Sequence, residues 1–213
     1  MNNKLTTIYI VRHGETEWNL KEIMQGHVDS PLTAKGHEQA MSLAIKLREI
    51  KFDAIFSSDL ARAQKTAEYI AIEKKLAIIT TRALRERCYG KYDGRPRHYF
   101  FDDFRRYLKK RGELSEEERF KFKLHKSVES DFEGASRFII SLREIAVGYP
   151  GKTVLVVTHG GIMRCFLIKL GYVSYKEIPV GAMFISNGAY IKIESDGVDF
   201  FIKETIGITK AKT

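Results

Sequence analysis

The sequence predicts a three-layer α/β/α protein with a mostly parallel, mixed sheet, and three observations carry that prediction. Short β-branched runs alternate with segments of helical period. The runs end abruptly in Arg, His, Ser or Gly. The last two runs are joined by a short segment containing Asp196-Gly197. With 213 residues, 44% apolar and 30% charged, the chain can bury a sizeable core and differs from disordered, collagen-like or repeat compositions.

The first run, Thr-Ile-Tyr-Ile-Val at 7–11, stops at Arg12-His13-Gly14-Glu15, as a buried strand does at its edge. Ala40, Leu43, Ala44, Leu47 and Ile50 then mark one helical face, with Thr33 as N-cap after Pro31-Leu32. Runs at 53–56 and 76–81 stop at Ser57-Ser58 and Arg82. Phe132, Ala135, Ile139, Leu142 and Ile145 mark a later helix, and the run at 153–157 stops at Thr158-His159-Gly160-Gly161. Runs at 189–193 and 198–202 read as a hairpin, which makes the sheet mixed. Between these elements, residues 95–126 hold eleven Lys/Arg against six Asp/Glu, with a helical stripe of Phe100/Phe101, Phe104 and Tyr107/Leu108. The expected organisation is a single domain over 1–213 with a helical insertion at about 95–127. For this segment, packing of the aromatic stripe and a solvated charged face are preferred over nucleic-acid binding.

The formal charge of +9 favours anionic partners without choosing among nucleic acid, membrane surface and phosphorylated metabolite. Cys88 and Cys165 form no Cys-x-x-Cys pair, so neither a disulfide framework nor a thiolate zinc site is indicated. No apolar stretch approaches the ~20 residues of a bilayer span, and the first eleven residues are too short and polar for a signal peptide. A cytoplasmic location is expected.

Ligands of open α/β sheets bind beyond the carboxyl ends of the strands. Two of the six histidines, His13 and His159, stand there with Arg12, and the helix after Ser57-Ser58 carries Arg62 in its first turn. Forked guanidiniums, glycine-turn N–H groups and a helix N-terminus suit a phosphoryl group. Neither a Walker motif nor Gly-x-Gly-x-x-Gly is present. Paired histidines beside arginines suggest phosphoryl transfer through a phosphohistidine, and no carboxylate cluster suggests a metal. Glu86, after the run at 76–81, is the candidate proton donor, with a solvated loop carboxylate as the alternative. The other histidines, His27, His37, His98 and His125, read as surface or hydrogen-bonded structural residues.

The segment Val11-Arg12-His13-Gly14-Glu15-Thr16-Glu17-Trp18-Asn19 resembles the signature of the histidine phosphatase superfamily, in its phosphoglycerate mutase-like branch. Gln25-Gly26, Pro31-Leu32-Thr33, Ser57-Ser58-Asp59-Leu60-Ala61-Arg62, Leu84-Arg85-Glu86 and Thr158-His159-Gly160-Gly161 continue the likeness in the family's order. The resemblance implies a phosphoglycerate mutase-like fold with a lid over the site. It implies His13 as phosphorylated nucleophile and Glu86 as general acid, with Arg12, Arg62 and His159 binding the phosphoryl group. Gly14, Asn19, Gln25 and Gly26 are expected to line the substrate site, as are Tyr89, Arg97 and Gly160. No metal or organic cofactor is implied. The expected partner is a small phosphorylated metabolite, not nucleic acid or a membrane, and a homodimer is left open.

Where many members have Gly-Glu-Ser, this chain has Val128-Glu129-Ser130, with Arg137 at the later arginine position. Three readings result: a phosphomonoesterase, a 2,3-bisphosphoglycerate-dependent phosphoglycerate mutase, and a binding protein without turnover. The intact catalytic set disfavours the third. Gly160-Gly161, where mutases usually carry Gly-Asn, favours the phosphatase over the mutase.

Overall fold

A computed structural model describes residues 4–179 and 183–211. Residues 1–3, 180–182 and 212–213 of the domain expected over 1–213 lie outside the described residues. The chain runs β1 (Thr6–Arg12), α1 (Glu17–Leu20), β2 (Ile23–Met24), α2 (Ala34–Lys46), β3 (Ala54–Ser58), α3 (Ala61–Lys74), β4 (Ile78–Thr81) and β5 (Arg95–Pro96). It continues through α4 (Arg97–Asp103), α5 (Arg105–Gly112), α6 (Glu116–Lys121), α7 (Asp131–Gly148), β6 (Thr153–Thr158), α8 (Gly160–Lys169), β7 (Ile185–Ser195) and β8 (Phe200–Ile208).

The main sheet has six strands in the order β4-β3-β6-β1-β7-β8. The first four are mutually parallel, and β7 and β8 are antiparallel additions. Successive side chains of a strand face opposite sides, so the continuous apolar run of β1 feeds two cores. Ile8 and Ile10 pack with Val154, Val156, Phe138, Leu142, Met163 and Phe166 beneath α7 and α8. Tyr9 and Val11 pack with Ile55, Leu155, Leu43, Ala63, Ala67 and Ile70 beneath α2 and α3. The result is a three-layer α/β/α fold. Among the described residues, no helix is long and apolar enough to cross a membrane.

Thr33 caps α2 by accepting from the Gly36 N–H, and Ser130 caps α7 in a reciprocal pair with Glu133. Along α7 the buried face is Ala135, Phe138, Leu142 and Ile145, whereas Phe132 is 41% exposed. Phe132 lies in the first turn and meets the edge of Phe120.

The stripe at 100–108 does not form one helix. The chain breaks at Phe104, which ends α4 and opens α5. Phe100 and Phe104 are buried with Tyr92 and Val128, and Leu108 packs against them. The break turns Tyr107 outward, leaving it 53% exposed. Val128 supplies part of this apolar base.

Candidate active site

Parallel pairing of β1 with β6 sets Arg12 opposite Thr158, so His13 and His159 leave neighbouring strands side by side. Their ring centroids lie 5.1 Å apart, and the His13 N–H bonds Thr158 O at 3.1 Å. Both rings are buried.

The hydrogen bonds determine the tautomers. His13 Nδ1 lies 2.7 Å from Gly14 O. A carbonyl only accepts, so Nδ1 carries the proton and Nε2 keeps its lone pair. At His159 the order is reversed. Arg62 Nε donates to His159 Nδ1 at 3.2 Å, which leaves the proton on Nε2, buried and without a partner among the described residues. Burial first, then Arg62 and Arg12, holds His13 well below the ordinary histidine range, against the opposing Gly14 hydrogen bond. Burial, Arg62, His13 and Arg12 do the same to His159. Two neutral imidazoles therefore sit together, one offering a lone pair and the other an N–H.

Arg62 is 1% exposed, and its fork is held by Gly26 O at 2.8 Å, Val28 O at 2.7 Å and Asp29 Oδ1 at 2.9 Å. Asp29 also accepts from the Ala61 N–H at 2.7 Å, capping α3, which has no cap of its own. One carboxylate thus positions both helix and guanidinium. Arg12 bonds Ile185 O and leaves Nε without a partner among the described residues. Burial pulls its guanidinium down to about 10, with Glu86 opposing and Arg62 adding.

Glu86 accepts at both oxygens, from the Arg87 N–H and the Gly161 N–H, each at 2.8 Å. Its carbonyl is held by His27 Nε2 at 2.8 Å and Arg137 at 3.2 Å. Arg137 in turn pairs with Glu129 at 2.9 Å. A Cβ on Gly161 would come within 2.5 Å of Glu86 Oε1, so glycine there is a steric requirement for the carboxylate's position.

These groups border one cavity of about 380 Å³. Arg12, His13, Arg62 and Glu86 line it, as do Asn19, Gln25, Gly26, Tyr89, Arg97 and Gly160. His159 stands behind, against His13 and Arg62. Gln25 Oε1 is buried with no partner among the described residues, and Asn19 Oδ1 accepts from the Thr16 N–H. Burial lifts the Tyr89 hydroxyl to about 12. Phe100, Phe101, Phe122 and Leu124 roof the cavity.

Two expectations are corrected, those on Gly14 and on the glycine-turn N–H groups. Gly14 does not border the cavity. Its N–H donates to Thr66 Oγ1 at 3.0 Å, and a Cβ would fall 2.3 Å from Gly36 O, so it serves the contact with α2. The Gly161 N–H is likewise occupied, by Glu86. Ser57 and Ser58 stay within β3, bonded to local backbone. Arg105 is 80% exposed on its side chain and pairs with Asp102, away from the cavity.

The chain matches the histidine phosphatase superfamily (branch 1) over residues 8–205. It belongs to that superfamily. The uncharacterized phosphatase PhoE of Bacillus subtilis is 32% identical over 166 residues, 78% of each chain. The structure of YhfR from Bacillus stearothermophilus superposes with a TM-score of 0.79 at 27% identity, covering 96% of this chain and 98% of that one. A phosphoglycerate mutase from Bacillus anthracis str. Sterne superposes with a TM-score of 0.79 at 26% identity, covering 97% and 95%. The superfamily thus includes phosphatases and mutase-like proteins among this chain's relatives, acting on small phosphorylated substrates.

Around this superfamily site stand residues that sequence reasoning missed. Asn187 donates to His13 O at 3.0 Å and reaches Asn19 Oδ1 at 3.4 Å, tying β7 to the first loop. Asp29 lies three residues beyond Gly26 and carries no signal in the sequence, because the uncapped helix it serves, α3, starts far along the chain at Ala61. Arg87, Arg111 and Arg164 also line the cavity. Arg111 was hidden in the basic run of the insertion, whose alternating charges read as a solvated face.

Proposed function

We propose that the protein is a phosphomonoesterase of small metabolites, working through a phosphohistidine on His13 without a metal. The observation that carries this reading is the His13 Nδ1–H to Gly14 O bond, which frees Nε2 beside the unpartnered donors of Arg12 and His159. In the first step Nε2 attacks phosphorus and the ester P–O bond breaks. Glu86, in its acid form, gives its proton to the leaving oxygen. In the second step water attacks the phosphohistidine while Glu86 takes back a proton, releasing phosphate and restoring the imidazole. Charge on the transferring oxygens is met by Arg12, Arg62 and the His159 Nε2–H, donors held in place by the fold. Among the described residues, no three His, Cys, Asp or Glu side chains converge as metal ligands would.

The mutase reading draws on the Glu86-Arg87-Cys88-Tyr89-Gly90 segment and on the mutase-like relatives. Against it, the asparagine that mutases usually carry at position 161 would collide with Glu86 as it stands. Denaturing quench with labelled substrate should trap an acid-labile, alkali-stable phosphoprotein. Label persisting in His13→Ala would remove His13 from the role. A panel scoring both free phosphate and isomerised product should find phosphate; isomer as the main product would transfer the assignment to a mutase.

A further inference from the structure

We propose that His27 is a positioning residue for the acid: its ring ties the Glu86 peptide to the turn that grips Arg62, and so places the carboxyl group against the phosphoryl site. The inference rests on the phosphomonoesterase reading with Glu86 as proton donor, and it adds the group that fixes where that donor stands.

The acid sits on a stretch with no ladder of its own. Residues 85–89 belong to neither helix nor strand, so neighbouring side chains hold their backbone. One support comes from α7, where Arg137 reaches Glu86 O at 3.2 Å and Glu129 accepts from the Cys88 N–H at 3.1 Å. The other comes from the turn at 25–29. There His27 Nε2 lies 2.8 Å from Glu86 O. Asp93 accepts from the His27 N–H at 3.1 Å and from the Tyr89 N–H at 2.9 Å. Turn and loop are in close contact, since a Cβ on Gly26, where φ is +49°, would fall 1.8 Å from Asp93 Oδ1.

The same turn seats the phosphate-binding fork. Gly26 O and Val28 O, on either side of His27, accept from Arg62 at 2.8 and 2.7 Å. His27 therefore stands between the two carbonyls that fix Arg62 and carries the bond that reaches the acid. In-line displacement puts the nucleophile and the leaving oxygen on opposite sides of phosphorus. The acid must be placed relative to the groups that hold the phosphoryl, and an error of about 1 Å is costly in rate. Among the described residues, Arg62 bonds neither Arg137 nor Glu129, so the support from α7 does not supply that reference. A carbonyl only accepts, so Nε2 of His27 carries a proton. His27 does not border the cavity, and its effect is exerted through Glu86.

Substitution separates the donor from the ring. His27→Phe keeps a flat ring without the N–H, whereas His27→Gln loses the ring and keeps an amide N–H at similar reach. Steady-state rates would be measured on propyl phosphate and p-nitrophenyl phosphate. His27→Phe should lower kcat on propyl phosphate about ten- to a hundredfold, with KM and the p-nitrophenyl phosphate rate within about threefold of wild type. His27→Gln should recover most of that loss. In a Glu86→Gln background, His27→Phe should add less than about twofold, because the group it aims is gone. The Gly161 amide gives a readout without turnover, since its N–H is held by Glu86. Its hydrogen exchange should quicken about tenfold in His27→Phe and return towards wild type in His27→Gln. Melting curves verify folding, and His27→Ala serves if His27→Phe does not fold. Unchanged rates in His27→Phe, equal losses on the two substrates, a His27→Gln enzyme as impaired as His27→Phe, or a loss that persists in full beside Glu86→Gln would overturn the inference. The parent reading fails differently, through absence of phosphate release or a Glu86→Gln enzyme that treats both substrates alike. The Gly161 exchange still decides in that case whether His27 places the carboxylate.

Discussion

At the scale of single residues, the position of Glu86 is the most exposed to test. If it protonates the leaving oxygen, Glu86→Gln should slow alkyl phosphates by about 10²–10⁴. It should slow p-nitrophenyl phosphate far less, because that leaving group hardly needs a proton. Gly161→Ala should reproduce the pattern without touching the carboxylate's chemistry, since the new Cβ would sit 2.5 Å from Oε1 and displace it. A Gly161→Ala enzyme with wild-type rates on alkyl phosphates would show that the observed carboxylate position is not the working one. Arg62 gives a second case. Two carbonyls, Asp29 and His159 Nδ1 take four of its five N–H donors and leave one for substrate, and a lysine cannot reproduce that geometry. Arg62→Lys should lose about 10²–10³ in kcat/KM while staying folded; unchanged kinetics would remove Arg62 from the site.

At the scale of elements, helices α4 to α6 join the rest of the fold through a small apolar base, a second apolar patch of Phe120 with Ala135, Cys165 and Tyr175, and a charged knot. Tyr92, Phe100, Phe104 and Val128 form the base, and Arg111 on Asp131 forms the knot. Truncating Phe104 to Ala should cost about 3 kcal/mol or more, the usual range for a buried aromatic ring. The loss belongs mainly to the insertion, because Phe104 contacts neither main core. Hydrogen exchange should therefore show protection falling over 97–121 while β1 and β6 keep theirs. Uniform loss of protection across the sheet would mean that the insertion and the core unfold as one. Helical character and aromatic packing of this segment were legible in the sequence. The break at Phe104 was not, since neither Gly nor Pro marks it, and it decides that Leu108 faces in and Tyr107 out. In α7 the error was similar: period alone admits Phe132, whereas the element's neighbours choose Phe138, and Ile139 packs half-buried against the same core.

At the scale of the whole molecule, the strand ends were readable because buried parallel strands announce themselves as apolar runs that stop at polar residues. Arg12, His13, Glu86 and His159 could be found that way. Asp131 and Arg111 could not, because a buried ion cluster is assembled from segments distant in sequence, and each member alone reads as surface charge. These buried groups also govern acid stability. For His13 and His159 the folded-state pKa lies below 6.5, the value of a free histidine. Above about 6.5 both states keep the imidazoles neutral, and pH has no leverage through them. As pH falls through 6.5 the unfolded chain takes up protons that the folded protein refuses, so stability declines until the folded-state values are passed. Asp131 acts in a second window. Burial opposes its ionisation, but Arg87, Arg164 and Arg111 prevail and hold it below 3.8. Its contribution is complete above about 3.8 and is lost as pH falls further, through the folded-state value. Thermal melting should therefore show Tm declining from about pH 6.5 and falling again below about pH 4. His13→Gln combined with His159→Gln should flatten the first window and leave the second. A wild-type Tm constant between about pH 7 and pH 5 would mean that the two imidazoles are not held neutral by the fold, and the assignment of His13 Nε2 as a ready lone pair would fall with it.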